Sequence, residues 1–551
     1  MPEFRFLGTV SKIEFKKRDL AIMGISLVLV VVGIILYNLT GILYLAGAAA
    51  VGAVLVLFII LRPVLERDVA KTDINSNIPY FITAFATLSA SAANRIDMLE
   101  LLSEKEKLGR IKDEIAKLVN LVKNWRRGLS EAAMFLSSRS PSEIFEDFLA
   151  RFGHAINSGQ DFEEFVNNEA ETVMSNFETT YISSLYTFDL YKDLYVSMLL
   201  SFAFLITFVM IMPILININI VQVLSLSLLT IVLGEAMLVY GIKVVLPNDP
   251  IWHDTGIKTP LQLKIQKYLI IGGTSSVVLL VVSLVMHLYT ILPFYLIIAI
   301  IVSPLFAPGY MGSKAEKIVA KKDEMFGSFI RSLAGSAAAR GNMIIEALKA
   351  IVLHDFGTLT SDIRALYRRL AYRINNLASW KNFSADTGSH LIEVFSESFV
   401  ESVELGANAD KAGAVVADNF DRVIRLRKRR HASVTSYVGV LYGITGGLAF
   451  SLAIAFGVLQ IINKVFSTFN VQSLNSFGIF VSQPQSSILT IEGFIIAILL
   501  IHSFIAGTAL KIADGGKVVH GLHHFVIMTW IVAIVMYGTL QIVNLILGGS
   551  L

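Results

Sequence analysis

The sequence contains no cysteine and few charged residues, and both shortages narrow what the chain can be. Without cysteine there are no disulfides, no thiolate metal sites and no cysteine nucleophile. Only 16% of the 551 residues are charged, against roughly 25% in an average soluble domain. Because 54% of the residues are hydrophobic, the composition excludes a disordered chain and a single compact soluble globule.

Motifs for nucleotide binding and catalysis are also missing. Gly515-Gly516-Lys517-Val518 lacks the upstream glycine of a phosphate-binding loop and the hydroxyl that would reach magnesium. The histidines His520, His523 and His524 are interpreted as a membrane-surface group, with a loose metal site as the alternative. We therefore expect no cofactor and no catalytic residue. Nucleic-acid binding is not expected either, because the basic residues are interleaved with acidic ones.

Long uncharged apolar runs are what the sequence does contain. Nine runs reach the roughly 18 residues that cross a bilayer core, and nine such runs have no counterpart in a soluble core. They lie at 20–38, 42–62, 195–216, 221–242, 268–287, 291–309, 435–462, 489–510 and 523–546. The predicted fold class is an all-α polytopic membrane protein with about nine transmembrane helices.

Basic residues predict the orientation of these helices. Clusters of Lys and Arg stay cytoplasmic, and they precede the first span (Lys16, Lys17, Arg18) and the seventh (425–430). The N-terminus and both large charged blocks are therefore expected in the cytoplasm and the C-terminus outside the cell membrane. The predicted segments are a cytoplasmic N-terminal segment (1–19), transmembrane helices 1–2 (20–62), cytoplasmic helical domain 1 (63–194), transmembrane helices 3–4 (195–242), a cytoplasmic loop (243–267), transmembrane helices 5–6 (268–309), cytoplasmic helical domain 2 (310–434), transmembrane helix 7 (435–462), an extracytoplasmic loop (463–488), transmembrane helix 8 (489–510), a cytoplasmic loop (511–522) and transmembrane helix 9 (523–546).

An internal duplication relates the two helical domains. The stretch beginning at Phe81 is similar to the stretch beginning at Phe326, 245 residues later, and each domain has two spans before it and two after it. The chain is thus predicted to be a parallel internal repeat. In the same comparison Trp125 is matched to Trp380, and we interpret both as helix-packing anchors. The glycines Gly159 and Gly406 are matched as left-handed helix ends with a structural role.

These features resemble the type II secretion F-domain family. Both domains carry a Gly-centred turn, such as Ser158-Gly159-Gln160-Asp161-Phe162, between helices that are flanked by spans. Such domains occur in the platform proteins of type IV pilus-like machines. The stretches Trp125-Arg126-Arg127, Arg139-Ser140-Pro141-Ser142 and Phe145-Glu146-Asp147-Phe148-Leu149, with the nine spans, favour the archaeal branch and the archaellum assembly platform. Bacterial platforms usually have three spans, so the chain departs from that pattern.

The resemblance implies a function and partners. It implies a platform that couples a hexameric cytoplasmic secretion or motor ATPase, with its accessory ATPase-like protein, to assembly and rotation of a filament. It also implies contact with pilin-like or archaellin subunits and with membrane lipid, and a homodimer. The alternatives are the platform of an archaeal adhesion pilus or secretion system, and a transporter built from two parallel repeats.

The charge of the two domains predicts where a partner docks. Residues 64–192 have a net charge of −6, and residues 311–434 have a net charge of +5. Complementary charge fixes register between partners, so we expect basic side chains to dock the ATPase. The candidates are Arg364, Arg368, Arg369 and Arg373 near one face of a helix, the run Arg425, Arg427, Lys428, Arg429 and Arg430, and the pair Arg126 and Arg127. A solvated face is the alternative for the first group, and a topogenic role with lipid contact is the alternative for the run.

Two features inside the predicted spans remain. The glycines Gly439, Gly443 and Gly447 are spaced by four residues, which lets another helix approach closely. Packing within one subunit is the favoured interpretation, and a homodimer seam is the alternative. Glu235 is the one carboxylate well inside a span, and an intramembrane acid is a functional candidate by default. It is the residue on which the transporter alternative depends.

Overall fold

The computed structural model describes residues 68–91, 93–215, 220–468 and 488–547. This part of the chain is helical and contains no strand, only an isolated β-bridge between Trp252 and Ser389. The predicted segment 1–19, the predicted spans 20–38 and 42–62 and most of the predicted 463–488 loop lie outside the described residues.

The described residues form seventeen α-helices, and the order of the first seven is repeated. The first set comprises α1 (68–89), α2 (Arg95–Glu104), α3 (Arg110–Lys123), α4 (Leu129–Ser137), α5 (Glu143–Ser158), α6 (Phe162–Leu215) and α7 (Ile220–Val245). After α8 (Pro260–Val285) and α9 (Phe294–Val302), the second set comprises α10 (Phe306–Ala338), α11 (Ile344–Ile351), α12 (Thr360–Ala371), α13 (Asn376–Thr387), α14 (His390–Glu404), α15 (Ala409–Thr468) and α16 (Ile488–Asp514). One helix, α17 (Leu522–Leu547), follows.

Seven helical stretches of the described chain are long and apolar enough to cross a membrane. Each overlaps one of the last seven predicted spans, the first in α6 and the last in α17. The prediction of an all-α polytopic membrane protein is therefore confirmed. A helix that crosses a bilayer core is long and apolar and pairs its backbone groups internally, so composition alone was enough to find these spans.

The longest helices run from the helical domains straight into spans. α6 has 54 residues and α15 has 60, so α15 is about 90 Å long at 1.5 Å per residue. The predicted boundaries at 194 and 434 fall inside these helices. The two helices lie parallel: Lys411 pairs with Glu163 at 2.7 Å near their N-termini, and Thr207 bonds Ser451 at 2.7 Å far along both.

The two helical domains share one hydrophobic core. Buried side chains from α1 to α6 and from α10 to α15 belong to a single cluster. Direct contacts include the Asn419 amide, which donates to Thr83 at 2.9 Å, and the rings of Tyr80 and Phe395, whose centroids are 5.8 Å apart. Separating the domains would expose this shared apolar surface to water. The two domains are therefore one body.

Equivalent turns confirm the repeat within the described chain. Ser142 and Ser389 cap α5 and α14, each by accepting a backbone N–H three residues on. Gly159 and Gly406 follow the same two helices with φ of 71° and 89°, a conformation that favours a residue without Cβ. Both pairs are separated by 247 residues.

Candidate functional site

Arg427, a predicted docking residue, lies beneath the helical domains with only 14% of its side chain exposed. Its guanidinium donates to both carboxylate oxygens of Asp249, with Nε 2.7 Å from Oδ2, and to Asp323 at 3.2 Å. Burial raises the pKa of Asp249, but the charges of Arg427 and Arg430 and the hydrogen bonds from Arg427 together hold that pKa below its usual value. The docking interpretation of Arg427 is wrong, because this charge is neutralised inside the chain.

Arg430 is buried, with 4% of its surface exposed. It donates to the backbone oxygens of Pro247 at 2.7 Å and of Ala513 at 2.6 Å. These oxygens belong to the α7–α8 loop and the end of α16. Arg430 therefore joins both connections to α15, and because its side chain is buried inside the chain, its docking interpretation is wrong too.

The two loops that Arg427 and Arg430 hold also contact each other and domain 2. The N–H of Ile251 donates to Gly515 O at 3.3 Å, and the N–H of His253 donates to Gly388 O at 3.1 Å. We call the α7–α8 loop (246–259), the α16–α17 loop (515–521), Arg427 and Arg430 together the junction. Contact between these loops and the helical domains requires them to share one side of the membrane, as in the predicted topology. Which side is cytoplasmic stays a prediction.

The stretch Gly515-Gly516-Lys517-Val518, which is part of the junction, packs against a buried carboxylate. Glu316 of α10 accepts from Lys511 at 2.9 Å, bonds His520 at 2.5 Å and accepts the backbone N–H of Lys517 at 3.1 Å. A Cβ at Gly516 would lie 2.6 Å from Glu316 Oε1, so a side chain at this position would displace the Glu316 carboxylate. These residues close the junction onto α10.

The other cations of the basic run differ from Arg427 and Arg430. Arg425 and Arg429 are exposed, and their side chains have no ion pair within the described residues. Lys428 is exposed but pairs with Glu324 at 2.8 Å. Arg425 and Arg429 thus remain available at the surface, because they lie on the opposite side of α15 from Arg427 and Arg430.

The arginines of α12 are not all on one face. Arg364 and Arg368 are exposed, and neither side chain has a partner within the described residues. Arg369 turns toward α13 and pairs with Asp386 at 2.6 Å. Arg373 lies beyond the end of the helix. The prediction of a single basic face is therefore wrong for Arg369 and Arg373, since the first is used within the domain and the second is not helical.

The match of Trp125 with Trp380 is also wrong. Trp380 is a residue of α13 and is buried, whereas Trp125 follows α3 and is 71% exposed. The structural counterpart of Trp125 is Tyr372, 247 residues later, which follows α12 and is 81% exposed. Trp380 packs inside domain 2, but Trp125 is no packing anchor.

Each exposed aromatic residue precedes an arginine with an unusual backbone. Arg126 and Arg373 have φ of 53° and 58°, the left-handed region that costs a residue with a Cβ about 1 kcal/mol. Within the described residues neither guanidinium has a hydrogen bond or an ion pair, while the next residue, Arg127, pairs with Glu131 at 2.6 Å. We call residues 125–126 and 372–373 the two aromatic–arginine turns.

The glycine strip of α15 faces no other part of the described chain. A Cβ added at Gly439, Gly443 or Gly447 would have no heavy atom within 4 Å, whereas one at Gly457 of the same helix would meet Val543 at 2.8 Å. No described residue packs on the strip, so packing within one subunit, the favoured interpretation, stays a prediction. A homodimer seam remains a proposal.

Glu235 lies in a buried polar cluster between the two repeats. Its carboxylate is 2.5 Å from His502 Nδ1 and accepts from the hydroxyl of Tyr195 at 3.3 Å. His502 Nε2 is 3.1 Å from the hydroxyl of Thr445. Glu235 and His502 are both fully buried, and the four residues come from α6, α7, α15 and α16. The sequence shows polar residues in spans 4 and 8 but not that they meet, because spans distant in sequence give no sign of which neighbours they have.

Sequence reasoning missed the ion pairs that join domain 1 to domain 2. Lys107 pairs with Glu393 at 2.8 Å and with Glu397 at 2.5 Å, and Lys105 pairs with Glu401. Burial would raise the pKa of Glu393, but His390 and Lys107 lower it to about 2. The spacing of Glu393, Glu397 and Glu401 by four residues was the available signal, because such residues share one face of a helix.

Together these observations define a class of protein: a multi-pass, all-α membrane protein with a duplicated helical domain carried on paired long helices. The family profile of type II secretion system protein F matches residues 81–210, which run from α1 into the span of α6.

Two relatives narrow this class to a family. Flagella accessory protein J of Methanocaldococcus jannaschii is 36% identical over 89% of this chain and 88% of the relative. Flagella accessory protein J of Methanococcus voltae is 35% identical over 89% of each. The chain belongs to the flagella accessory protein J family. No solved structure matches it.

Proposed function

We propose that the chain is the membrane platform of an archaellum, which passes the movement of a cytoplasmic motor ATPase to pilin-like subunits in the membrane. The secretion F-domain match and the names of both relatives support this role. A platform of this kind is not an enzyme: the nucleotide cycle belongs to the ATPase, and this chain transmits its movement.

The observation that carries the proposal is the pair of parallel helices α6 and α15. Both continue from the shared core of the helical domains into spans without a break. Ion pairs hold them together outside the spans, as at Arg422 and Glu171, 2.6 Å apart. A continuous helix has no hinge at the membrane surface, so we expect displacement of the domains to move the spans.

Arg364 and Arg368 are the strongest remaining docking residues on α12, because they are exposed and unpaired in the described chain. We expect the double charge reversal Arg364→Glu/Arg368→Glu to abolish copurification with the motor ATPase and filament assembly. Lys349→Glu, an equally exposed reversal on α11, is the matched control and should preserve both. Membrane insertion, followed by fractionation, should be unchanged in all variants.

This experiment separates the possible outcomes. Assembly at the wild-type level in the double variant would remove Arg364 and Arg368 from the docking site. A wild-type chain that fails to bind the motor ATPase, and that fails to restore filaments in cells lacking the relative, would contradict the platform proposal itself. Restoration of adhesive but non-rotating filaments would favour an adhesion pilus.

The Glu235 cluster is the observation that favours the transporter as a second candidate. A buried carboxylate bonded to a histidine between two repeats is a feature of proton and ion pathways. Reconstituted liposomes test this candidate: flux of protons or solute that Glu235→Gln abolishes would favour it. The platform proposal expects no such flux, and it assigns Glu235 and His502 the task of fastening α7 to α16.

A further inference from the structure

The two aromatic–arginine turns have the same chemistry at the same place in both repeats. Trp125-Arg126 ends α3 and Tyr372-Arg373 ends α12, and both pairs are separated by 247 residues. Elsewhere the two domains have diverged until their net charges are opposite in sign. A pair of adjacent residues that both copies retain amid this divergence requires a physical reason.

Folding of the domains does not supply that reason. The left-handed conformation of Arg126 and Arg373 is one that glycine adopts without strain at helix ends, so glycine would serve the backbone better. The aromatic rings are 71% and 81% exposed, so they contribute little to the core. Side chains that cost stability and bury nothing are expected where another molecule completes their environment.

The position of the turns points away from the membrane. In domain 2, α13 begins beside the second turn and ends at Gly388, whose carbonyl accepts from His253 of the junction. A helix of 12 residues, about 18 Å long, thus separates the turn from the loops that lead into the spans. At the other end, Asn376 lies beside Glu404 at the C-terminus of α14.

The first turn is placed in the same way. α4 leads from it toward Ser142, which bonds Asn75 at 2.5 Å, and Glu143, which pairs with Lys71 at 2.9 Å. Lys71 and Asn75 lie near the start of α1, shortly after the second predicted span. The turn is therefore at the membrane-distal end of α4. Contact with a lipid headgroup does not fit this position.

We propose that the two aromatic–arginine turns are matched contact points for a protein partner that presents an acidic side chain beside an apolar pocket, and presents it twice. Within the described residues the guanidiniums have no carboxylate, so a partner must provide it, and Trp, Tyr and Arg are the residues that dominate binding energy at interfaces. Two equivalent contacts fit two neighbouring subunits of a symmetric ring. The inference rests on the proposed function, in which that ring is the motor ATPase.

The test uses the full-length chain in nanodiscs and the purified motor ATPase. One variant combines Trp125→Ala with Arg126→Gly, a second combines Tyr372→Ala with Arg373→Gly, and a third contains all four changes. We expect each turn to contribute roughly a tenfold change in the dissociation constant. The variant with all four substitutions should lose more affinity for the motor ATPase than either two-residue variant, because two linked contacts reinforce each other.

Two further measurements separate docking from folding. Arg126→Gly and Arg373→Gly relieve left-handed strain, so thermal unfolding of both variants should occur at or above the wild-type temperature even as binding weakens. Leu353→Ala is the control for nonspecific apolar contact, since Leu353 is 84% exposed in domain 2 but is not part of a turn. We expect it to bind as the wild type does.

Several outcomes would overturn the inference alone. They are wild-type affinity in the four-fold variant, equal weakening by Leu353→Ala, and loss of binding that parallels loss of folding. Loss of self-association or of binding to anionic vesicles in the four-fold variant, with ATPase binding unchanged, would assign the turns to a second copy or to lipid. Failure of the wild-type chain to bind the ATPase would instead contradict the proposed function.

Discussion

The two helical domains have the same helices in the same order but use their charges differently. Domain 1 is acidic and domain 2 is basic, with net charges of −6 and +5. Some of these charges pair with each other inside the chain. Arg422 in α15 pairs with Glu171 in α6, and Arg427 pairs with Asp249 at the junction. Opposite net charge in two duplicated domains is therefore no proof of an external partner.

What the domains have in common is more informative than the difference. Each retains a left-handed arginine after an exposed aromatic residue, although the surrounding sequence differs. The charges that differ between the domains form contacts within the chain. The two aromatic–arginine turns, which the domains share, are the residues that we propose to contact a partner. Substitutions at equivalent positions, 247 residues apart, test whether the two domains differ in this way.

The largest effect is expected at the junction. Arg427→Ala leaves Asp249 and Asp323 buried without their cation, which destabilises a protein by about 3–5 kcal/mol. The equivalent position in α6 is Thr180, so Thr180→Ala is the matched control and should change little. Thermal unfolding in detergent, followed by circular dichroism, measures both. Equal melting of Arg427→Ala and wild type would mean that the junction does not depend on this charge.

A smaller effect is expected where the domains meet. Glu393→Gln removes an ion pair with Lys107 and should destabilise the chain by roughly 1–3 kcal/mol. The equivalent residue of domain 1, Glu146, is exposed, and Glu146→Gln should have almost no effect. Chemical unfolding of both variants at neutral pH tests the asymmetry.

The same carboxylate predicts a dependence on acid. The pKa of Glu393 is lowered from 4.5 to about 2, so its contribution to stability is complete above pH 4.5 and is lost as the pH falls toward 2. Wild type should therefore lose more stability than Glu393→Gln over this interval. Parallel pH profiles for the two proteins would show that Glu393 is not held as an ion in the folded chain.

The smallest effect on folding is expected at the glycine strip, which α6 lacks. Gly443→Leu adds a side chain where no described atom lies within 4 Å, so stability should change by less than about 0.5 kcal/mol. Gly457→Leu on the same helix would collide with Val543 and is the destabilising control. If the strip is a homodimer seam, Gly443→Leu should reduce the mass measured in detergent. A Gly443→Leu variant that has the mass of a dimer would show that this glycine strip is not the dimer interface.

The fold could be predicted further than the candidate site. The seven described spans and the duplication were accessible, because apolar length and repeated segments are properties of consecutive residues. The match of Trp125 with Trp380 failed because identical residue type was weighted above position in the repeat. Counting from Gly159 and Gly406 would have led from Trp125 to Tyr372, since the spacing of 247 residues holds across these helices.

The order of residues was sufficient to predict that this is a helical membrane protein with a tandem organisation. A bilayer acts on each segment separately, so a run of apolar residues is sufficient to specify a span. The three-dimensional fold was needed to show that Arg427 and Arg430 bond within the chain, that Glu235 contacts His502, and that the glycine strip of α15 faces no described residue. Coulomb and hydrogen-bond energies depend on separations of about 3 Å, and such separations arise between residues that the chain brings together from far apart.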